Sequence, residues 1–169
     1  MDFQKSLKQA WDILLLKEPA MHSVAKDPEA LSPALLILGL ASICAALGGM
    51  FFPSVMGLVI YRSDFSDVVV EVVLSIVLGI GSLYMIGYVA EQGFHSKLDM
   101  NGYVRVMGHG TLVYVLSILL VLTPVSLIWE LVIMCTVLHK LGKLEAGPIV
   151  LLILIEILMV GSIVLLMPI

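Results

Sequence analysis

Apolar residues run almost without interruption from Pro33 to Ile169, divided by only four polar breaks. The breaks are Tyr61 to Asp67, Glu91 to Met100, the tight Thr123-Pro124 pair, and Gly142 to Gly147. Five apolar blocks result, at residues 34–60, 68–90, 102–122, 124–141 and 148–167. Each approaches or exceeds the ~20 residues that cross a bilayer at 1.5 Å rise per residue. The pattern predicts an all-α, polytopic membrane protein with five transmembrane helices. The fourth block, at about 17 residues, is short enough to imply local thinning of the bilayer or a sheltered position.

Residues 1–32 differ from the rest. Phe3, Leu7, Trp11, Leu14 and Leu15 recur at helical spacing, with Lys5, Lys8, Gln9 and Asp12 on the opposite face. This predicts a short amphipathic helix over 3–17. It suits the membrane interface, with Phe3, Leu7 and Trp11 as anchors and lysines toward headgroups. It equally suits docking on the protein's own cytosolic face. Pro19 to Ser32 reads as a polar connector. Ser32 is placed to cap a helix starting at Pro33, and Pro53 to kink or end block one. Asn101 is placed to cap the third helix, and Thr123 with Pro124 to start the fourth. Residues 1–18 lack the unbroken apolar core and small-residue cleavage site of a signal peptide. The expected organisation is a cytosolic amphipathic segment, 1–32, followed by a five-helix membrane domain, 33–169.

Charge adds an orientation. Of the nine Lys and Arg residues, Lys5, Lys8, Lys17, Lys26, Lys97, Arg105, Lys140 and Lys143 fall in the N-terminal segment or around breaks two and four. Only Arg62 falls in break one, and none in break three. With five spans those eight share a side, which the positive-inside rule makes cytoplasmic. The expectation is a multi-pass cell (inner) membrane protein with its N-terminus in the cytoplasm and its C-terminus outside.

Composition agrees with this reading. Hydrophobic residues make up 60% of the chain and charged residues 13%, where a soluble domain has about 45–50% and about 25%. The net charge of −4 includes three carboxylates inside apolar blocks, so it does not mark a partner. No basic stripe interleaved with aromatics is present, which argues against nucleic acid. Cys44 and Cys135 lie inside apolar blocks without metal or redox spacing and read as packing residues.

Small residues mark where helices approach one another. Block one carries Ala41, Ala45 and Gly49, and block two carries Ser75, Gly79 and Gly87. Such spacing lets backbones come close in lipid, either within one bundle or across a homodimer seam.

Glu71, Glu130 and Glu156 interrupt apolar blocks two, four and five. An intramembrane carboxylate costs several kcal/mol unless it faces the bundle or water. Rise per residue puts Glu71 about 6 Å and Glu130 about 9 Å below the outer surface, and Glu156 about 13 Å from the inner one. Glu71, Ser75 and Ser82 share a helix face, as do Ser126 and Glu130. Glu71, Ser75, Glu130 and Glu156 are therefore candidates for a polar crevice able to bind a cation or relay protons. The alternative is that these acids fix helix packing, and Glu71 is shallow enough to snorkel to the surface. His22, His95, His109 and His139 read as interfacial, with no local spacing for a metal site. No nucleophile elbow, zinc-protease motif, phosphate-binding loop or dinucleotide fingerprint is present, so neither enzymatic activity nor a cofactor is expected.

Two stretches carry a family resemblance. One is the entry, WDILLLKEPAMHSVAKDPEALSPALLILGLASICAALG, with a Trp, a Pro after the first amphipathic turn, and Asp-Pro ahead of span one. The other is GYVRVMGHGTLVYVLSILLVLTPVSLIWELVIMCTVLHKLGKLEAGPIVLLILIEIL, with its Gly-Tyr start, its turn before a Trp in span four, and a short basic loop before span five. Together they resemble the Yip1-domain family of five-span membrane proteins. The resemblance implies a cytosolic N-terminus and a lumenal or external C-terminus. Eukaryotic members are associated with vesicle trafficking and contact small GTPases through long cytosolic N-terminal regions. This chain has only about 32 residues ahead of span one and lacks the eukaryotic loop motifs, so the resemblance points to the prokaryotic branch and away from a GTPase partner. It carries over no catalytic residue. The leading expectation is a non-enzymatic Yip1-type protein that organises membrane lipid or partner membrane proteins. The alternative is a small transporter or channel for a cation, proton or small solute that uses the buried carboxylates.

Overall fold

The computed structural model describes the backbone of residues 3–51, 54–55, 58–59, 65–118 and 123–166. Side chains are described over these residues except 48–51, 54–55, 58–59, 65, 67, 71, 117–118, 123 and 160–166. The described chain is helical apart from a two-residue antiparallel ladder, β1 (Ser54–Val55) with β2 (Leu58–Val59). The helices are α1 (Phe3–Leu14), α2 (Glu18–Lys26), α3 (Leu31–Phe51), α4 (Phe65–Tyr88), α5 (Met100–Gly110), α6 (Thr123–Lys140) and α7 (Ala146–Leu166). A 3-10 turn, Pro28–Ala30, leads into α3, a π turn, Val89–Gly93, extends α4, and a 3-10 stretch, Thr111–Ile118, continues α5.

Among the described residues, two helical runs are long and apolar enough to cross a membrane: Pro28–Leu47 and Val68–Gly93. Ala146–Met159 is apolar but shorter. Only 12% of the Val68–Gly93 window is buried, whereas the core helix of a soluble protein is mostly buried. Its outward face is Val69, Val70, Val73, Leu74 and Val77. Ile128 on α6 and Leu158 on α7 are more than 60% exposed as well. By this measure two of the five expected spans qualify among the described residues, and the third block divides between α5 and a 3-10 stretch.

Several local expectations need correcting. The connector contains α2, whose Met21, Val24 and Ala25 are buried at i, i+3 and i+4. Pro19 lies in its first turn, where a missing N–H breaks no hydrogen bond. Asp27 caps the 3-10 turn that leads into α3, and Ser32 lies inside α3 rather than ahead of it. The Asp27 carboxylate accepts from the Glu29 N–H at 3.0 Å, and helix continues from the 3-10 turn into Leu31. The third helix is capped by Asp99 rather than Asn101, accepting from the Gly102 N–H at 3.2 Å. Glu91, carried on the π turn, accepts from the Met100 N–H at 2.7 Å. Two carboxylates therefore face the positive end of α5. Helix α3 stops at Phe51, well short of Ile60, and Pro53 itself lies outside the described residues.

Helix α5 is the hub, and α1, α2, α3, α4 and α6 all pack on it. Close approach is made possible by glycine. A Cβ on Gly108 would stand 2.9 Å from the Ala34 Cβ, and one on Gly87 would stand 3.2 Å from Met100 and Tyr103. These contacts assign the predicted packing residue Gly87 to the α4–α5 crossing within one chain. Gly79 meets Leu38 of α3 in the same way, and Ala41 is buried. For Gly49 only the helix is described.

Helix α1 divides into three sectors at 3.6 residues per turn. Ser6, Ala10 and Ile13 are buried toward the bundle. Lys5, Lys8 and Asp12 form the polar side. Phe3, Trp11 and Leu15 form an outward apolar side, with Trp11 59% exposed, while Leu7 is half-buried between sectors. The helix therefore docks by a small-residue face that the apolar periodicity did not single out, and keeps its bulkiest anchors turned outward.

Breaks two and four meet. The Lys97 N–H donates to the Gly142 carbonyl at 2.9 Å. The N-terminal segment joins them at the same end. Lys140 Nζ lies 4.0 Å from Glu18, and the Arg105 guanidinium donates to the Ala25 carbonyl in the last turn of α2, where a cation complements the helix dipole.

Candidate functional site

A cavity of about 310 Å³ lies between α3, α4, the Thr111–Ile118 stretch, α6 and α7. Its position follows from the small residues. Ala41 and Ala45 on α3 and Gly79 on α4 line it, so the stripe that brings the helices together also leaves room between their larger neighbours. Leu38, Leu83 and Met159 supply much of the apolar wall.

Three of the four predicted crevice residues line this cavity: Ser75, Glu130 and Glu156. The side chain of the fourth, Glu71, lies outside the described residues. Glu130 is ten residues before Lys140, where α6 ends, and Glu156 is ten after Ala146, where α7 begins. An antiparallel α6–α7 pair brings equal offsets to equal height, about 15 Å from the shared turn. The two residues line the same cavity.

Glu130 is also bound by the chain before it. The Tyr114 hydroxyl donates to its Oε2, and one turn earlier on α6 Ser126 Oγ donates to the Val113 carbonyl at 3.2 Å. Adjacent residues of the 3-10 stretch thus fasten α6 twice. At three residues per turn, Thr111 and Tyr114 eclipse, so both reach the same cavity. In an α-helix they would share a face but stand about 60° apart.

Tyr114, Thr111 and Ser42 are functional candidates that sequence reasoning missed. For Tyr114 a signal existed. The Thr123-Pro124 turn folds α6 back along the preceding segment, and residues at similar distances on either side of it face each other. The 3-10 geometry that turns Thr111 inward has no comparable sequence mark.

Glu156 Oε2 is buried without a hydrogen-bond partner. So are Tyr103 OH, Arg105 Nε and His109 Nε2, all on α5 and outside the cavity wall. His109 is fully buried rather than interfacial, with Nδ1 2.7 Å from the Arg105 carbonyl. Gly108 beside it lets α3 close over the ring. His139 and His95 are exposed and His22 half-buried. Among the described residues no group of three His, Cys, Asp or Glu side chains is placed to hold a metal ion.

No protein-family model matches the chain, and no curated protein or solved structure matches it. The Yip1 resemblance therefore stands on the two quoted stretches alone.

Proposed function

We propose that the chain is a five-span inner-membrane protein whose central cavity binds a small cation or positively polarised solute and passes it across the bilayer. The observation that carries this reading is the meeting of Glu130 and Glu156 at one cavity between helices. Carboxyl groups at membrane depth are costly and rarely kept without a task. Cavities between bundled helices near the midplane are where such solutes are held.

The span count has support in helix rise. Met100–Gly110 with Thr111–Ile118 rises about 32 Å, at 1.5 and 2.0 Å per residue, against a hydrocarbon core of about 30 Å. The 18 residues of α6 rise about 27 Å and the 21 of α7 about 32 Å. The contact between breaks two and four agrees with alternate breaks sharing the cytoplasmic side.

The test is flux into liposomes for wild type against Glu130→Gln with Glu156→Gln. Wild-type uptake of a cation or of protons, lost in the double variant, is the expected result. Equal uptake in both would remove the transport reading.

The outward Phe3, Trp11 and Leu15 favour a second reading, a non-enzymatic Yip1-type organiser attached to lipid or to partner membrane proteins through α1. Removing α1 would expose the bundle core, so Phe3→Ser with Trp11→Ser is the cleaner test. Unchanged co-purifying lipid and protein partners in that variant would refute the organiser reading.

A further inference from the structure

The hydrogen bonding of the cavity wall restricts what the cavity accepts. Ser42 Oγ donates to the Leu38 carbonyl at 3.0 Å, Ser82 Oγ to the Gly79 carbonyl at 2.9 Å, and Thr111 Oγ1 to the Gly108 carbonyl at 2.7 Å. A fourth hydroxyl, Tyr114, donates to Glu130, and the fifth hydroxyl of the wall, Ser75, is left to donate or accept. A hydroxyl has one proton and two lone pairs. With the proton bound to the wall, each of the first four has only lone pairs left for a ligand. Glu156 Oε2 adds an acceptor that nothing in the protein satisfies. Among the described residues, no Lys, Arg or His lines the cavity. Acceptors therefore outnumber donors on this wall, and an occupant that brings N–H donors and a positive charge satisfies most of it.

Size and surface narrow the class further. A bare metal ion needs several oxygens at about 2.0–2.6 Å, and would leave most of about 310 Å³ unfilled. That volume falls at the lower end of small-molecule sites, roughly 300–1,000 Å³. The remaining wall is hydrocarbon from Leu38, Leu83 and Met159.

We propose that the cavity takes a primary organic ammonium, a cation of the form R–NH3+ with a short apolar body. The nitrogen sits at Glu156 and Glu130, and the body lies against Leu38, Leu83 and Met159. Three N–H donors match an acceptor-rich wall. A quaternary ammonium carries the charge but leaves the acceptors unsatisfied, at the cost of buried unpaired groups. An anion meets lone pairs and carboxylates. This inference rests on the carboxylate-cavity reading above and narrows it to one chemical class.

The experiment is calorimetric binding to the full chain in lipid nanodiscs, with empty nanodiscs subtracted. The probes are ethyl-, butyl- and hexylammonium, butyltrimethylammonium, butanesulfonate, sodium and potassium. Alkylammonium affinity should tighten about threefold to fourfold per methylene until the cavity is full. Butyltrimethylammonium and butanesulfonate should bind at least about tenfold more weakly than butylammonium, one buried hydrogen bond to charge being worth that much or more. Glu156→Gln should weaken butylammonium by a similar factor. Ala45→Leu, which fills the wall without touching a carboxylate, should weaken hexylammonium and leave ethylammonium within about twofold, since only the longer body competes with the added side chain. If Glu156→Gln does not fold, the Ala45→Leu pair of measurements decides.

Sodium or potassium binding that depends on Glu156, without alkylammonium binding, would overturn this inference and leave the carboxylate reading intact. Binding of no cation would overturn both. Alkylammonium binding that folded Glu156→Gln and Ala45→Leu leave unchanged would place the ligand elsewhere and overturn this inference alone.

Discussion

The Trp129 indole N–H donates to the carbonyl of Leu14 at 3.0 Å, joining residues 115 positions apart. Leu14 is the last residue of α1, where helix carbonyls lack intrahelical partners. One side chain of α6 thus holds the end of the N-terminal helix against the bundle. Trp129→Phe keeps the aromatic contact and removes the donor. The expected loss is about 0.5–1.5 kcal/mol. It should appear as faster amide exchange around Leu15 to Lys17, with little change in α5. Unaltered exchange there would mean that burial of Ala10 and Ile13 alone fixes α1.

Gly108 and Gly81 should respond in opposite ways to the same substitution. Gly108→Ala drives a Cβ to 2.9 Å from that of Ala34 and 3.2 Å from its carbonyl oxygen, forcing α3 and α5 apart. Overpacking of this kind costs about 1–3 kcal/mol. Gly81, in the middle of α4, has nothing within 4 Å of such a Cβ. Gly81→Ala should be neutral or stabilising by up to about 1 kcal/mol, through helix propensity. Thermal unfolding in one detergent reads both, and equal effects would contradict the described α3–α5 contact.

Lys143 is exposed and holds φ at 56°, the left-handed region that costs an L-residue roughly 1–2 kcal/mol. It follows the end of α6, where glycine is the usual solution. Lys143→Gly should raise the unfolding midpoint by an amount matching about 1 kcal/mol. A lowered midpoint would show that the lysine side chain contributes more than its backbone costs.

Sidedness is testable with single cysteines in a Cys44→Ala, Cys135→Ala background. Arg62→Cys should react with a membrane-impermeant thiol reagent on intact cells. Lys97→Cys and Lys143→Cys should react only after the membrane is opened. Reaction of position 97 with the reagent outside, or protection of position 62, would overturn the five-span orientation.

Much of the candidate site could be read from the chain, though not its arrangement. Glu130 and Glu156 stood out because a carboxylate in a hydrocarbon run is conspicuous by itself. Their meeting was also implicit, since each lies ten residues from the turn that joins α6 to α7. Tyr114 did not stand out, because an aromatic in an apolar run is unremarkable until the facing helix is known. Helix α2 was hidden by its brevity and by Pro19, a residue that breaks a helix interior and starts a helix equally well. Helix α1 was recognised as amphipathic, but its docking face was not legible, because Ser6 and Ala10 carry little hydrophobicity and dock by being small.

Hydropathy and charge are properties of each residue in turn, so the sequence alone determined the helical class, the apolar runs, the polar breaks and the concentration of basic residues in the N-terminal segment and alternate breaks. Rotation of each helix about its axis depends on which small residues let a neighbour's backbone approach. Only the tertiary structure decided that Ala41, Ala45 and Gly79 wall a cavity as well as pack. It alone brought Thr111 into line with Tyr114 through a 3-10 stretch, and directed the protons of four hydroxyls into the wall. The acids were visible in the chain. The acceptor-rich character of the space around them depends on distances between helices, and no linear pattern contains those.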